Sequence, residues 1–107
     1  MSADLATLSD PWQPAVLALV GTAAKAGAEQ GKPVGVCGEA AADPALACVL
    51  VGLGVTSLSS AAAAVRAVGA ALAGVTLAQC RAAAEAALDA ESSEEARSAA
   101  LAALATH

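Results

Sequence analysis

Alanine supplies most of the apolar residues of this chain, and that bias limits the core that the chain can build. Apolar residues make up 58% of the sequence, but Trp12 is the only aromatic residue. Burying a Val, Leu or Met side chain contributes about 1.5–3 kcal/mol, whereas Ala buries little area. At 107 residues the chain forms one small domain at most. We therefore expect its core to be completed by the rest of a larger fold or by a second copy.

The charge distribution argues against a nucleic-acid-binding protein. Ten acids and five bases give a net charge of −5. Binding to nucleic acid needs clustered Lys and Arg that displace phosphate counterions. The bases are instead scattered at Lys25, Lys32, Arg66, Arg81 and Arg97. We predict no nucleic-acid partner.

The cysteines do not form a metal-binding pattern. Cys37, Cys48 and Cys80 lack CxxC spacing, and the single histidine is His107. No Cys/His zinc site can be assembled from them. An odd number of unpaired cysteines and the lack of a signal-peptide pattern indicate a reduced, cytoplasmic setting. We expect Cys48 and Cys80 to be structural.

One uncharged segment is long enough to be tested as a membrane span. Residues 44–65 hold no charge over 22 positions, and about 20 apolar residues suffice to cross a bilayer. Gly52, Gly54 and several Ser and Thr residues lie in the middle of this segment. They predict a helix end, a turn and a strand, and hence no membrane insertion.

Capping and turn residues divide the chain into an alternating order of helices and strands. Proline at position 14, the Asp43-Pro44 pair and the possible capping boxes of Thr76 and Ser92 predict helix starts. Glycines 31 and 74 predict helix ends. The expected helices cover 14–30, 44–51, 61–72, 77–89 and 91–107, and the expected strands cover 33–37 and 55–59.

Two strands separated by a helix predict a parallel βαβ unit. A parallel sheet is normally covered on both faces, so two strands alone indicate part of a larger sheet. A (β/α)₈ barrel needs roughly 250 residues. The fold class is therefore expected to be α/β and helix-dominated, with the chain forming the last quarter of a barrel and a helical tail.

The stretch PVGVCGEAAADP, residues 33–44, puts a thiol, a glycine and a carboxylate at the end of the first strand. From Gly31 to Ser59, the sequence GKPVGVCGEAAADPALACVLVGLGVTSLS resembles the C-terminal PEP-utilising domain of Enzyme I. Enzyme I is the phosphoenolpyruvate (PEP)–protein phosphotransferase of the sugar phosphotransferase system. The resemblance covers about residues 8–88. Pyruvate phosphate dikinase and PEP synthase share the CGE signature, but the segment LSDPWQPAVL, which starts at Leu8, favours Enzyme I.

The resemblance implies both a fold and a role. The chain would carry strands seven and eight of a (β/α)₈ barrel with flanking and trailing helices, so that residues 1–107 form a partial domain. The family, with Mg²⁺, moves the phosphoryl group of PEP to a histidine of a separate domain, which passes it to a histidine-containing phosphocarrier protein. Homodimerisation is also implied. Because the arginines and metal-binding carboxylates lie on earlier strands, the 107 residues alone are expected to be inactive.

Three residues are expected at the site. Cys37 matches the family's cysteine that protonates the enolate of pyruvate, and Gly38 and Glu39 are expected to contact the substrate. A thiol with a pKa near about 8.5 is protonated at neutral pH and can act as a general acid.

Three alternatives remain open at this point. Cys37 can be a small buried apolar residue, or the nucleophile of a thiol redox protein. The chain as a whole can be a non-catalytic dimerisation module, since large apolar patches rarely stay open to water.

Overall fold

The described residues form five helices and two strands in the predicted order. This computed structural model describes residues 10–37, 43–59 and 62–105, with 37, 59, 62 and 63 described by their backbone alone. The elements are α1 (Pro14–Glu29), β1 (Gly35–Cys37), α2 (Pro44–Gly52), β2 (Ser57–Ser59), α3 (Ala62–Ala73), α4 (Leu77–Leu88) and α5 (Ser93–Ala105). An α/β fold dominated by helices is thereby confirmed.

The strands pair in parallel, as predicted, but each is shorter than expected. Gly35 pairs with Ser57, Val36 with Leu58, and Cys37 with Ser59. The predicted strands began two residues earlier. They start later because Pro33 has no amide hydrogen for a ladder bond, and because the amide of Val34 donates to the side chain of Thr56.

Three helix starts show the capping that the sequence predicts, in one case only in part. Asp43 Oδ1 accepts from the amides of Ala45 and Leu46 at 3.1 and 3.3 Å. Thr76 and Gln79 form a complete capping box before α4. At α5 the amide of Glu95 donates to Ser92 Oγ at 3.1 Å, but Glu95 Oε2 accepts from the amide of residue 91 at 3.0 Å. The box predicted there is therefore altered, because the chain bends at residues 91 and 92.

Glycine ends α1 and closes the turn after α2, as predicted. Gly31 has φ +69° and Gly54 has φ +102°. These left-handed conformations are disfavoured for residues with a Cβ. Helix α1 has a polar, solvent-facing side, because Thr22, Lys25 and Glu29 are all exposed.

Helix α2 is central and is packed by the four other helices. Its residues 46–50 are all buried, and Leu17 of α1 contributes a fully buried side chain beside them. The trailing helices α4 and α5 complete this core with small side chains: Ala83, Ala84, Ala87, Ala96 and Ala100 are each at most 2% exposed. Alanine therefore allows helices to approach closely rather than contributing large buried area.

Gly52, the last residue of α2, marks the closest approach of α2 to α4. A Cβ added at position 52 would collide with the backbone carbonyl of Cys80. Backbone atoms cannot rotate out of the way as the end of a side chain can. The packing of α4 on α2 therefore requires glycine at this position.

In the part of the chain that the structure describes, no single helix is long and apolar enough to cross a membrane. One bent pair, Ala64–Ala73 and Leu77–Leu88, passes that test only together, with an angle of 106° between its helices. Residues 44–65 include a helix, a turn and a strand, as the sequence predicts.

Candidate functional site

The candidate site lies where the two parallel strands end. Cys37 is the last residue of β1 and is paired with Ser59, the last residue of β2. Both strands therefore finish at the same edge of the sheet. The structure describes Cys37 by its backbone, and the predicted site residues Gly38 and Glu39 lie outside the described residues.

The two faces of the sheet differ in character. Val36 is 2% exposed and belongs to the buried core, with Leu58 packed against that core. A Cβ built at position 35 would meet Ser57 Oγ at 2.6 Å, so Gly35 and Ser57 share the other face. That face carries small and polar residues, and Ser57 is exposed.

Thr56 ties the beginnings of the two strands together. The Val34 amide donates to Thr56 Oγ1 at 3.2 Å, and the Thr56 hydroxyl donates to the Val34 carbonyl at 3.1 Å. The Thr56 amide donates to the same carbonyl at 3.0 Å. Thr56 was not among the site residues predicted from the sequence, although a Thr at the start of the second predicted strand was available as a signal.

Trp12 connects the segment before α1 to the start of α2. Its indole Nε1–H donates to Asp43 Oδ2 at 3.1 Å, and its ring is 7% exposed. Its backbone amide donates to Asp10 Oδ1 at 3.0 Å. Trp12 thus packs just before the start of α1, and the prediction that Asp43-Pro44 starts a helix is confirmed. The bond between them was not predicted.

The two other cysteines are buried, which confirms their predicted structural role. Cys48 and Cys80 are free thiols, each 2% exposed, on the facing helices α2 and α4. Burial raises the pKa of Cys48 from its ordinary 9.0 to about 11, with further contributions from the charge of Cys80 and the hydrogen bond between the thiols. Burial also raises the pKa of Cys80. Neither thiol is activated as a nucleophile.

These raised pKa values predict a loss of stability at high pH. Between pH 9 and 11 the thiols of the unfolded chain lose their protons while Cys48 in the folded chain keeps its own. The unfolded state then binds fewer protons, so the free energy of unfolding falls as pH rises. Urea unfolding at pH 8, 9, 10 and 11 should show this decline, and it should be smaller in a Cys48→Ala variant. An equal decline in that variant would contradict the assignment.

Several clefts among the described residues lie away from the strand ends. A groove beside β2 is lined mainly by apolar side chains, among them Val55, Leu58 and Val68. Another cleft, between α4 and α5, contains the acidic residues Asp89 and Glu95. Within residues 10–37, 43–59 and 62–105, no group of three His, Cys, Asp or Glu side chains is placed to hold a metal ion.

Comparison with known proteins identifies the family to which the chain belongs. The sequence model of the family described as "PEP-utilising enzyme, PEP-binding domain" matches residues 1–77. The chain belongs to this family. The match includes both β1, which ends at Cys37, and β2, and it confirms the resemblance predicted from the CGE segment.

Relatives of the PEP-utilising domain carry a more specific name. The chain is 64% identical over 97 residues to a phosphoenolpyruvate-protein phosphotransferase of Streptomyces coelicolor. These 97 residues are 91% of this chain and 17% of the relative. Proteins of the same name from Latilactobacillus sakei and Cupriavidus necator are 38% identical over 65 residues and 44% identical over 55. The chain thus corresponds to 17% or less of these relatives, which are transferases by name.

Proposed function

We propose that this chain is the C-terminal part of a PEP–protein phosphotransferase. In this proposal residues 1–107 supply strands seven and eight of a (β/α)₈ barrel, with α4 and α5 as trailing helices. The parallel pair β1–β2, joined through α2, is the repeating unit of such a barrel. The 64% identity to a protein of that name supports this assignment over pyruvate phosphate dikinase or PEP synthase.

The position of Cys37 carries the mechanistic part of the proposal. It is the last residue of β1, at an edge where β2 also ends, and active sites of (β/α)₈ barrels lie at the carboxyl ends of the strands. When the phosphoryl group leaves PEP, the remaining enolate needs one proton at C3. The Cys37 thiol donates that proton to C3, and the thiolate that is left takes a proton from solvent.

The other members of the proposed site are assigned by their place next to Cys37. Gly38 allows the substrate to approach the backbone closely, since it carries no Cβ. Glu39 is proposed to contact PEP or to orient the segment that follows β1. Both remain proposals, because they lie outside the described residues.

Metal binding and phosphoryl acceptance are proposed for the longer protein. The described residues contain no cluster suited to Mg²⁺, and this part of the chain therefore does not fit a magnesium site by itself. The phosphoryl group would pass to a histidine of a separate domain and then to a histidine-containing phosphocarrier protein. The longer protein and the phosphocarrier protein are both expected in the cytoplasm.

A non-catalytic dimerisation module is the second candidate function. Among the described residues, four large apolar side chains are exposed, with Leu19 at 62% and Val65 at 56%. Exposed apolar surface of this kind is available to a second copy or to the rest of a barrel. A homodimer of the longer enzyme would use part of it, and light scattering of the chain would detect self-association.

A split-protein experiment tests the proposed function. The chain is mixed with the Streptomyces coelicolor relative truncated before the segment that the chain matches. Neither part alone should form pyruvate from PEP, and the mixture should regain activity. A chain with Cys37→Ala should fail to restore activity, whereas one with Cys48→Ala should succeed. Restoration by the Cys37→Ala chain would refute the role of Cys37, and failure of every mixture would favour the dimerisation module.

A further inference from the structure

The hydroxyl of Thr56 makes two hydrogen bonds to the backbone of one residue on the neighbouring strand. It accepts from the Val34 amide at 3.2 Å and donates to the Val34 carbonyl at 3.1 Å. Two bonds from one side chain to both polar groups of one residue fix the relative position of two chain segments more tightly than a single bond. They lie immediately before the first paired residues, Gly35 and Ser57.

Such a contact is important here because the described part of the ladder is short. Within the described residues three pairs join β1 to β2, and they supply few backbone bonds to hold the register. A slip by one residue would turn the buried Val36 to the other face. A slip by two residues keeps the faces but moves Cys37 along its neighbour by about 6.6 Å, from a rise of about 3.3 Å per residue. Thr56 opposes this second slip because both of its hydrogen bonds to Val34 would have to break before the strands could move.

We propose that Thr56 is a positioning residue for the proton donor Cys37. The inference rests on the proposed function of Cys37. Val34 lies three residues before Cys37, and an extended strand transmits the position of one end to the other. By holding Val34 opposite Thr56, the Thr56 hydroxyl sets the position of Cys37 along the strand relative to Ser59. That position in turn sets the distance from the thiol to C3 of the enolate. Thr56 itself lies at the opposite end of the strands from the candidate site and contacts no reacting atom.

The chain offers conservative variants and a matched control for this role. Thr56→Val keeps the branched shape but removes the hydroxyl, whereas Thr56→Ser keeps the hydroxyl and so should restore function. The control is Thr22→Val, because the Thr22 hydroxyl also donates to a backbone carbonyl, that of Ala18 at 3.0 Å, on the exposed side of α1. It lies in no strand.

The experiment compares two rates in the full-length phosphotransferase. The first is phosphoryl transfer from PEP to the protein in a single turnover. The second is the exchange of the methyl protons of pyruvate with D₂O in the presence of the phosphorylated protein, followed by proton NMR. Phosphoryl transfer does not use the thiol proton, whereas exchange at C3 does. Both rates are expressed per active protein, which the amplitude of the single turnover measures, so a purely structural defect that lowers the active fraction leaves their ratio unchanged.

The positioning role predicts a change in the ratio of these rates. Since a displacement of about 1 Å can cost up to about 100-fold, we expect Thr56→Val to lower the exchange rate relative to phosphoryl transfer by about tenfold. Thr56→Ser and Thr22→Val should keep the ratio of the unmodified protein. An unchanged ratio in Thr56→Val, or an equal loss in Thr56→Ser, would overturn the inference. If Cys37→Ala retains full exchange, the proposed function itself fails, whatever Thr56→Val shows.

Discussion

Replacing Cys37 by Ala in the proposed full-length phosphotransferase is expected to lower kcat for pyruvate formation by at least about 100-fold. A positioned general acid typically contributes about 10²–10⁴-fold to a rate, and Ala cannot donate a proton. Steady-state assays with excess phosphocarrier protein as the phosphoryl acceptor, in which lactate dehydrogenase couples pyruvate to the oxidation of NADH, measure this loss directly. KM for PEP should change much less, because the thiol acts on the enolate after the phosphoryl group has left.

Matched variants separate the loss of a donor from the loss of a buried thiol. Cys48→Ala and Cys80→Ala remove thiols from the interface of α2 and α4, so they should reduce stability and leave kcat within about threefold of the original. Cys37→Ser should remain strongly impaired, because an alcohol is a much weaker acid than a thiol. Full activity of Cys37→Ala would refute the proton-donor role, and equal losses in all three alanine variants would point to folding rather than chemistry.

Adding one methyl group at Gly52 should destabilise the chain, whereas adding one at Gly69 should stabilise it. The Cβ of Gly52→Ala would collide with the Cys80 carbonyl, while a Cβ at Gly69 meets nothing within 4 Å. Overpacking of this kind costs about 1–3 kcal/mol. Gly69 lies inside α3 at an exposed position, where Gly→Ala stabilises by about 0.4–1 kcal/mol through the unfolded state.

Thermal unfolding of the two variants beside the unmodified chain measures both effects. Because the two substitutions are chemically identical, a shift of the midpoint in opposite directions isolates the contact with α4. A midpoint for Gly52→Ala at or above that of the unmodified chain would show that α4 can move away from α2 at little cost. It would contradict the packing described here.

Local sequence signals predicted the order of the elements but not all of their contacts. Asp43 and Thr76 act on amides two or three residues away, so the sequence itself contains both partners of each cap. The bond from Trp12 to Asp43 spans 31 positions, and no local pattern encodes such a pair. The same applies to Thr56 and Val34, which are 22 positions apart.

For the candidate site, too, the sequence predicted the residues of one segment but not their contacts with another strand. The CGE segment was sufficient to mark Cys37 and the family, and the family match confirms the latter. The pairing of Cys37 with Ser59 required the three-dimensional structure, because the register of two short strands depends on contacts at their beginnings. The alanine content predicted a core with little buried area per residue, but it did not predict that alanine would allow α2, α4 and α5 to pack closely.

A proton donated by Cys37 reaches one face of the enolate, and the stereochemistry of the product records that face. With (Z)-phosphoenolbutyrate as substrate in D₂O, deuterium enters C3 of 2-oxobutyrate, and the configuration at that carbon records the face that was attacked. The unmodified full-length protein should give a single configuration. The Cys37→Ala variant should give both in nearly equal amounts, since water then protonates the released enolate from either side. Retention of the single configuration by Cys37→Ala would contradict the account.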